Sequence, residues 1–381
     1  MHLYVHVPFC ARRCSYCDFS IAVRREVPSK VFVDAVLAEA EALRRWGAGA
    51  LNSALIDTLY FGGGTPSHLD PSELSRLIEG LLGAGPTTHD SRPVVRELTL
   101  ETNPDDVTPE RAAAWVRAGV DRVSLGVQSF DPAVLTWMHR VHTSEQAREA
   151  LKTLRGEGIA NISLDLIYAL PGELTRDWGR DLDAALALEP DHLSLYGLTV
   201  EPHTPLARWV EGKKAKVADD DRYATEFLLA HERLTAAGFE HYEVSNYGKP
   251  GRRAIHNSAY WQRRPFLGLG PSAHSAMGER RWWNVREYAA WLETGGETAR
   301  RRDGEDFPPT VAGWETIDAD RRRIEDLYLG LRTSDGLAKD YLPERTYRPW
   351  LNEGWADLRE GRIVLTAEGW LRLDALVAQV A

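Results

Sequence analysis

Residues 3–19 read LYVHVPFCARRCSYCDF, an alternating strand pattern that stops at Pro8 and leads directly into three closely spaced cysteines. Cys10, Cys14 and Cys17 follow a C-x3-C-x2-C spacing, so one short loop can bring three thiolates to three corners of a cubane cluster. The fourth iron then lacks a protein ligand, and an open coordination position is typical of a catalytic metal centre. The spacing therefore predicts a 4Fe-4S cluster with one open iron.

A structural zinc site is the alternative for the same thiolates, with His2 or His6 as the fourth ligand. Zinc sites usually pair their cysteines in two separate C-x2-C units, and this chain has no second unit. An odd count of 3 cysteines also argues against an extracellular disulfide framework. We expect a cytoplasmic protein, since no signal-peptide pattern or bilayer-length apolar stretch occurs.

The charge balance argues against nucleic acid as a partner. A total of 46 Lys and Arg against 56 Asp and Glu gives a formal charge of -10, whereas binding to phosphates needs a basic face. The 381 residues, 43% of them hydrophobic, are enough for a large core and more than one domain.

Strand and helix patterns alternate through the first half of the chain. Strands are predicted at 3–7, 55–61, 95–101, 120–127, 159–167 and 192–200, and helices at 29–46, 72–82, 109–118, 144–157 and 175–188, the first of them with a serine cap. This alternation predicts an α/β fold, a partial (β/α)6 barrel over 1–205 with its chemistry at the carboxyl ends of the strands. We expect a barrel-covering α+β extension over 206–315, and a small winged-helix-like module over 316–381.

Five later stretches add to the cysteine loop: GGGTP at 62–66, ETNP at 101–104, GVQSF at 126–130, DLI at 165–167 and HNSAYW at 256–261. Over nearly the whole chain they resemble radical S-adenosylmethionine proteins of the oxygen-independent coproporphyrinogen III oxidase group. The resemblance implies that S-adenosylmethionine binds the open iron through its amino and carboxylate groups. It also implies reductive cleavage of a carbon–sulfur bond to give a 5′-deoxyadenosyl radical.

Several of the resembling residues have a physical interpretation of their own. Glycines after a strand let backbone amides approach a ligand, and Glu101 at a strand end can accept hydrogen bonds from a ribose or an ammonium group. A plain turn, a surface salt bridge and, for the tyrosines, core packing are the alternatives. By resemblance, the predicted cofactor contacts are Tyr4, Tyr16, Gly63, Gly64, Thr65 and Glu101, with Gln128, Arg140 and Asp165 deeper in the barrel mouth, where the oxidase holds a second S-adenosylmethionine.

Two departures separate the chain from the oxidases of this group. Phe19 stands where they have a fourth cysteine, and only nine residues precede Cys10, without their N-terminal extension. Heme chaperones of the same group share both departures and carry an HNxxYW motif associated with heme binding. The resemblance therefore implies His256 as a heme-iron ligand, because imidazole is a common ligand for heme iron; a buried hydrogen-bonding histidine is the alternative.

These observations favour a heme chaperone that delivers heme to acceptor proteins, with the cluster and S-adenosylmethionine regulating assembly or transfer. Membrane-bound respiratory complexes are candidate acceptors, which would bring the protein to the membrane surface, and an electron donor is implied. An oxygen-independent coproporphyrinogen III oxidase is the alternative function. A radical enzyme with another substrate and a homodimeric state both stay open.

Overall fold

The computed structural model describes residues 1–46, 56–83, 95–294, 300–302 and 305–380. Within these ranges the strands are β1 His2–Val7, β2 Phe9–Cys10, β3 Ala22–Val23, β4 Thr58–Gly63, β5 Glu97–Thr102, β6 Arg122–Gln128, β7 Asn161–Tyr168, β8 His192–Gly197, β9 Glu240–Glu243, β10 Asn246–Gly248, β11 Phe266–Leu269, β12 His274–Met277, β13 Arg280–Asn284, β14 Arg300–Arg302, β15 Glu305–Phe307, β16 Val311–Thr316, β17 Leu337–Ala338, β18 Ala356–Arg359 and β19 Arg362–Leu365.

The α-helices over the same part of the chain are α1 Ser29–Arg45, α2 Pro71–Leu82, α3 Pro109–Ala118, α4 Pro132–Trp137, α5 Ser144–Gly156, α6 Trp178–Leu186, α7 Pro205–Glu211, α8 Asp220–Ala236, α9 Ile255–Trp261, α10 Tyr288–Thr294, α11 Ala319–Leu331, α12 Glu344–Asn352, α13 Ala367–Trp370 and α14 Leu373–Ala378. None of the described helices combines the length and the apolar character needed to span a bilayer.

Six parallel strands form the centre of the fold, in the order β1-β4-β5-β6-β7-β8. This confirms the predicted α/β fold with its six β/α units, and the strand ends move by only a few residues. Residue 55, the predicted start of the second strand, lies outside the described residues. Because the strands are parallel, their carboxyl ends meet at one edge of the sheet, which is where the candidate site lies.

Each central strand alternates apolar and polar side chains. In β1, Leu3 and Val5 are fully buried in the main hydrophobic core, and the same alternation continues in β5 through Leu98 and Leu100. Burial of such a leucine or valine contributes about 1.5–3 kcal/mol relative to exposure. The opposite face of the six strands carries polar residues, namely His2, Tyr4, Thr58, Tyr60, Glu97, Thr99, Glu101, Arg122, Ser124, Ser163, Asp165, His192, Ser194 and Tyr196.

The sheet continues beyond residue 205, which the weakening β/α pattern does not predict. β11 pairs in parallel with β1, and β12, β13 and β16 follow in antiparallel order. At the other edge β10 and β9 extend the sheet from β8. The result is a twelve-stranded mixed sheet that does not close into a barrel within the described residues. The domain limits at 205 and 315 stay a prediction.

Helix caps explain several helix starts, and one prediction about them is wrong. Thr143 accepts from the backbone of Gln146 in a full capping box at the start of α5. Ser29, the predicted cap of α1, lies inside the first turn, and Pro28 occupies the cap position without a side-chain cap bond. The Ser29 hydroxyl instead accepts a hydrogen bond from Asp70 N at 3.0 Å, so it joins α1 to the start of α2.

The last part of the chain forms a three-stranded antiparallel sheet in the order β17-β19-β18, packed with α11 to α14. Trp370 of α13 donates to Leu331 O of α11 at 3.0 Å, and both residues are buried. The winged-helix assignment of this region stays a prediction.

Candidate functional site

A cavity of about 380 Å³ opens at the carboxyl ends of the six parallel strands. Gly63 of β4, Thr102 of β5 and Gln128 of β6 line it from the sheet, and the cysteine loop after β1 forms another wall. The predicted site residues that line the cavity are Cys10, Cys14, Tyr16, Cys17, Gly63, Gly64, Thr65, Glu101, Gln128, Arg140 and Asp165. Two predicted site residues, Tyr4 and His256, are not among its lining.

The three cysteines are partly buried on one loop. Cys17 N donates to Cys14 O at 3.4 Å, which turns the loop so that all three thiols reach the cavity. Ser15, which follows Cys14, is fully buried. Its backbone N donates to Met138 O at 3.3 Å, and its backbone O accepts from Leu206 N at 2.8 Å. The loop is therefore held by two other segments before any metal binds.

The thiols fit an iron–sulfur cluster by their chemistry. Burial raises the pKa of Cys10 to about 11 and that of Cys17 to about 12, so these thiols keep their protons near neutral pH until a metal replaces them. Thr65 Oγ1 lies 3.5 Å from Cys10 Sγ, and Arg140 Nη1 donates to Cys14 Sγ at the same distance. These polar neighbours favour negative charge on the two sulfur atoms.

The zinc alternative has no geometric support. Among the described residues, no three or more His, Cys, Asp or Glu side chains are grouped around a position for a single metal ion. His6 uses both ring nitrogens in hydrogen bonds, one with Tyr4 OH at 3.1 Å and the other with Ser20 O at 2.9 Å. His2 Nδ1 binds Thr58 Oγ1 at 2.9 Å. Neither histidine lines the cavity.

The glycines after β4 bring backbone close to the cysteine loop. A Cβ on Gly64 would lie 2.8 Å from Phe9 O, and Gly63 has a φ of +112°, which side chains rarely adopt. These positions therefore leave room only for backbone at the cavity wall. Gly64 N already donates to Val7 O at 2.8 Å, so this wall offers a ligand close approach to the backbone rather than a free glycine amide.

Glu101 is the acidic group of this wall. Its Oε1 accepts from Tyr60 OH at 2.7 Å and its Oε2 from Gly63 N at 3.1 Å. Burial raises the pKa of Glu101 to about 7, although these two hydrogen bonds favour the ionised carboxylate and lower the pKa. The carboxyl group therefore changes charge near neutral pH, and ligand cations or ribose hydroxyls in the cavity favour its ionised form.

Gln128, Arg140 and Asp165 form the deeper polar wall. Arg140 donates to Gly126 O at 2.8 Å and to the Asn103 side chain, which fixes the guanidinium beside the cysteine loop. Asp165 accepts from Ser124 Oγ at 2.9 Å, and burial raises its pKa. The structure brings these three residues together with the cysteines, as the sequence predicts, although no ligand contact of theirs is established by this geometry.

The two predicted tyrosines have different places. Tyr16 lines the cavity beside the cysteines, and burial raises its pKa. Tyr4 lies beneath the cavity, where its hydroxyl binds His6 and its ring lies 6.0 Å from that of Tyr60 and 6.5 Å from that of His256. A cofactor contact by Tyr4 stays a prediction.

His256 lies at the opposite ends of the strands, on α9, and is 1% exposed. Its Nδ1 binds Thr58 Oγ1 at 2.7 Å and its Nε2 binds Tyr260 OH at 2.8 Å. The Glu97 carboxylate accepts from the His256 backbone N at 2.9 Å. Burial lowers the pKa of His256 to about 3. In this conformation the histidine anchors α9 to the sheet, and both ring nitrogens are engaged.

Sequence reasoning missed many of the lining residues, among them His139, Val141 and Tyr196. The side chains of Val141 and Tyr196 are exposed, and that of His139 is half-buried. The alternation in β8, which places Tyr196 on the same face as Ser194, was a usable signal. His139 and Val141 follow α4 in an irregular segment, where periodicity carries no such information.

Comparison with known proteins adds independent findings. The family model described as Radical SAM superfamily matches residues 4–185. A Mycobacterium tuberculosis protein named heme chaperone HemW is 38% identical over 378 residues, which covers 98% of this chain and 93% of that protein. The protein of the same name from Escherichia coli K12 is 36% identical over 73% of this chain and 70% of its own length.

One solved structure has the same fold over nearly the whole chain. It is described as coproporphyrinogen III oxidase (HemN) from Escherichia coli, a radical SAM enzyme, and it superposes with a TM-score of 0.75. The match covers 99% of this chain and 88% of that one at 22% sequence identity, so it establishes the shared fold.

Proposed function

The chain belongs to the HemW family of radical S-adenosylmethionine proteins, and from that premise we propose that it binds heme and delivers it to acceptor proteins. The observation that carries the proposal is the similarity, along nearly the entire chain, to relatives named heme chaperones. Phe19 supports it, because the oxidases of the resembled group have a fourth cysteine at that position.

Membership of the radical S-adenosylmethionine proteins implies a 4Fe-4S cluster and S-adenosylmethionine. When bound, these groups supply one-electron reductive chemistry. The residues that would hold them are Cys10, Cys14 and Cys17 for three irons, with Gly63, Gly64, Thr65 and Glu101 for the methionine and ribose groups. Arg140 and Tyr16 exclude water from the inner cavity, and Arg140 balances thiolate charge at Cys14. We infer that these groups regulate heme binding or transfer.

The HNxxYW motif makes His256 a candidate heme-iron ligand in this function. Coordination requires the ring to give up its bond to Thr58 or to Tyr260, each within 2.8 Å, and to leave its buried place under the sheet. Such a change exposes buried polar groups and costs about 1–3 kcal/mol for each lost partner. A spectrum of heme bound to the His256→Ala variant tests the assignment directly.

The proposed location and partners of the protein follow from heme as the molecule that it delivers. We place the protein in the cytoplasm with peripheral access to the membrane, where respiratory complexes are acceptors of heme. An electron donor reduces the cluster, and a homodimer is the candidate assembly. Isolation of the protein from cells that express the full chain tests these assignments. The acceptor and the electron donor should be recovered with it, and its mass in solution should be that of a dimer.

Coproporphyrinogen III oxidase activity is the second candidate function. It is favoured by the shared fold and by a cavity that can hold the same cofactors. The oxidase would decarboxylate two propionates of coproporphyrinogen III to vinyl groups. Phe19 in place of the fourth cysteine speaks against it.

An anaerobic assay separates the two functions. The cluster-loaded protein is incubated with coproporphyrinogen III, S-adenosylmethionine and reductant, and a parallel sample is titrated with hemin. Stoichiometric heme binding without protoporphyrinogen IX supports the chaperone. Formation of protoporphyrinogen IX at enzymatic turnover, or failure to bind heme, overturns it.

A further inference from the structure

The outer rim of the cavity differs from its polar inner wall. Among the described residues, nine large hydrophobic side chains are exposed, and three of them line this one cavity: Phe19 at 57%, Val141 at 48% and Tyr196 at 44% exposure. Phe19 and Val141 come from the cysteine loop and the segment after α4 and form the rim, whereas Tyr196 ends β8 on the polar face of the sheet, beside Ser194. Apolar side chains gathered at one opening mark a surface for a large apolar ligand.

His139 lies at the same rim and has an available imidazole. Its ring makes no hydrogen bond or ion pair with any described residue, and its one ring contact is with Trp209, at 5.5 Å between centroids and an interplanar angle of 76°. Trp209 in turn packs against Trp137 at 5.6 Å, so the imidazole rests on an aromatic pair. Glu101, Arg140 and Asp165, by contrast, are engaged by neighbours.

The backbone at His139 is also unusual. Its φ of 59° lies in the left-handed region, which costs a non-glycine residue free energy and persists only where surrounding contacts hold it. The backbone N of His139 donates to Thr136 O at 3.0 Å and the next residue, Arg140, donates to Leu135 O at 2.8 Å. These bonds end α4 sharply and turn the His139 side chain to the cavity.

A cation completes the rim. Arg12 lines the cavity and is exposed, and its guanidinium has no hydrogen bond or ion pair with the described residues. Heme is a flat apolar ring with an iron that accepts imidazole and with two propionates that pair with guanidinium groups. An available imidazole, an apolar rim and an unpaired arginine at one opening match these three features.

We propose that heme binds across this rim, with His139 as the axial ligand of the iron, Phe19 and Val141 against the porphyrin and Arg12 at a propionate. The inference rests on the proposed function and names its binding site. Ligation uses a ring-nitrogen lone pair of His139 and requires no redox step. It also leaves His256 in its hydrogen bonds beneath the sheet.

The test uses the full chain titrated with hemin, followed by the Soret band and by the spin-state bands. His139→Gly is the main variant, because glycine adopts the left-handed backbone at lower cost than histidine and the fold is preserved. We expect the heme affinity to fall by at least about tenfold and the histidine-ligated spectrum to disappear. Added imidazole should restore that spectrum in His139→Gly.

Iron-free protoporphyrin IX is the matched control ligand. His139→Gly should leave its affinity within about twofold of the unmodified protein, since no iron bond is lost, whereas Arg12→Ala should weaken both ligands. His256→Ala should retain the ligated heme spectrum. An unchanged spectrum and affinity in His139→Gly, or loss of ligation in His256→Ala alone, overturns the assignment. Absence of heme binding to the unmodified protein would instead refute the proposed function.

Discussion

Replacement of Glu101 by glutamine tests how the inner wall binds S-adenosylmethionine. The variant keeps the size of the side chain and one acceptor oxygen, which can serve either Tyr60 OH or Gly63 N, and it removes the charge. A hydrogen bond to a charged group contributes about 1.5–3 kcal/mol, so we expect the affinity to fall about 10- to 100-fold where Glu101 is ionised.

The pKa of Glu101, raised by burial to about 7, makes this loss depend on pH. Glu101 is ionised in roughly a tenth of the molecules at about pH 6 and in roughly nine tenths of them at about pH 8. The ionised form favours the cationic ligand, so affinity should rise as pH rises. The ratio of Kd in Glu101→Gln to Kd in the unmodified protein should therefore grow about tenfold between these pH values.

The assay is a titration of cluster-loaded protein with S-adenosylmethionine at each pH, and the ratio cancels ionisation of the ligand itself. Tyr60→Phe is the companion variant, because loss of its hydroxyl removes a bond to the carboxylate and should move the pH profile upward. A Kd ratio that is the same at both pH values would refute the role given to Glu101.

Three further changes have defined outcomes. Cys14→Ala should abolish the brown absorption of the cluster, and retention of full iron content would contradict the assignment. Gly64→Ala places a Cβ 2.8 Å from Phe9 O and should lower both Tm and iron content. Gly156→Ala, at the end of α5 with nothing beyond its chain neighbours and its own helix backbone within 4 Å, should leave the iron content unchanged and the Tm unchanged or slightly higher. Burial raises the pKa of Glu39 to about 7, so its contribution to stability falls by up to about 3 kcal/mol as pH rises from about 4.5 to 7, and Glu39→Gln should flatten this loss in urea unfolding.

The sequence predicted the central architecture because strand and helix periods differ clearly there. The six parallel strands and their helices emerge from apolar alternation, and the position of the cysteines after the first strand puts them at the carboxyl edge of the sheet, where they line the cavity. Short strands carry too few residues to show a period. Phe266–Leu269 reads only FLGL, so its pairing with β1 across the sheet was not visible in the sequence.

Individual side chains were harder to place than strands. Tyr4 shares a motif with cysteines that reach the cavity, yet it lies beneath the cavity because it comes earlier on β1. His256 lies beneath the cavity as well, packed near Tyr4 and bonded to Thr58. Ser29 was a plausible cap, but its hydroxyl binds Asp70 N on another segment. Such contacts depend on tertiary packing, which a single sequence does not contain.

Heme delivery is the central claim, and a transfer measurement tests it most directly. Heme-loaded protein is mixed with heme-depleted bacterial membranes, and recovery of respiratory oxidase activity is compared with that produced by an equal amount of free hemin. The account predicts faster recovery from the loaded protein, with heme leaving it as activity returns. Recovery no faster than with free hemin, with heme retained on the protein, would contradict it.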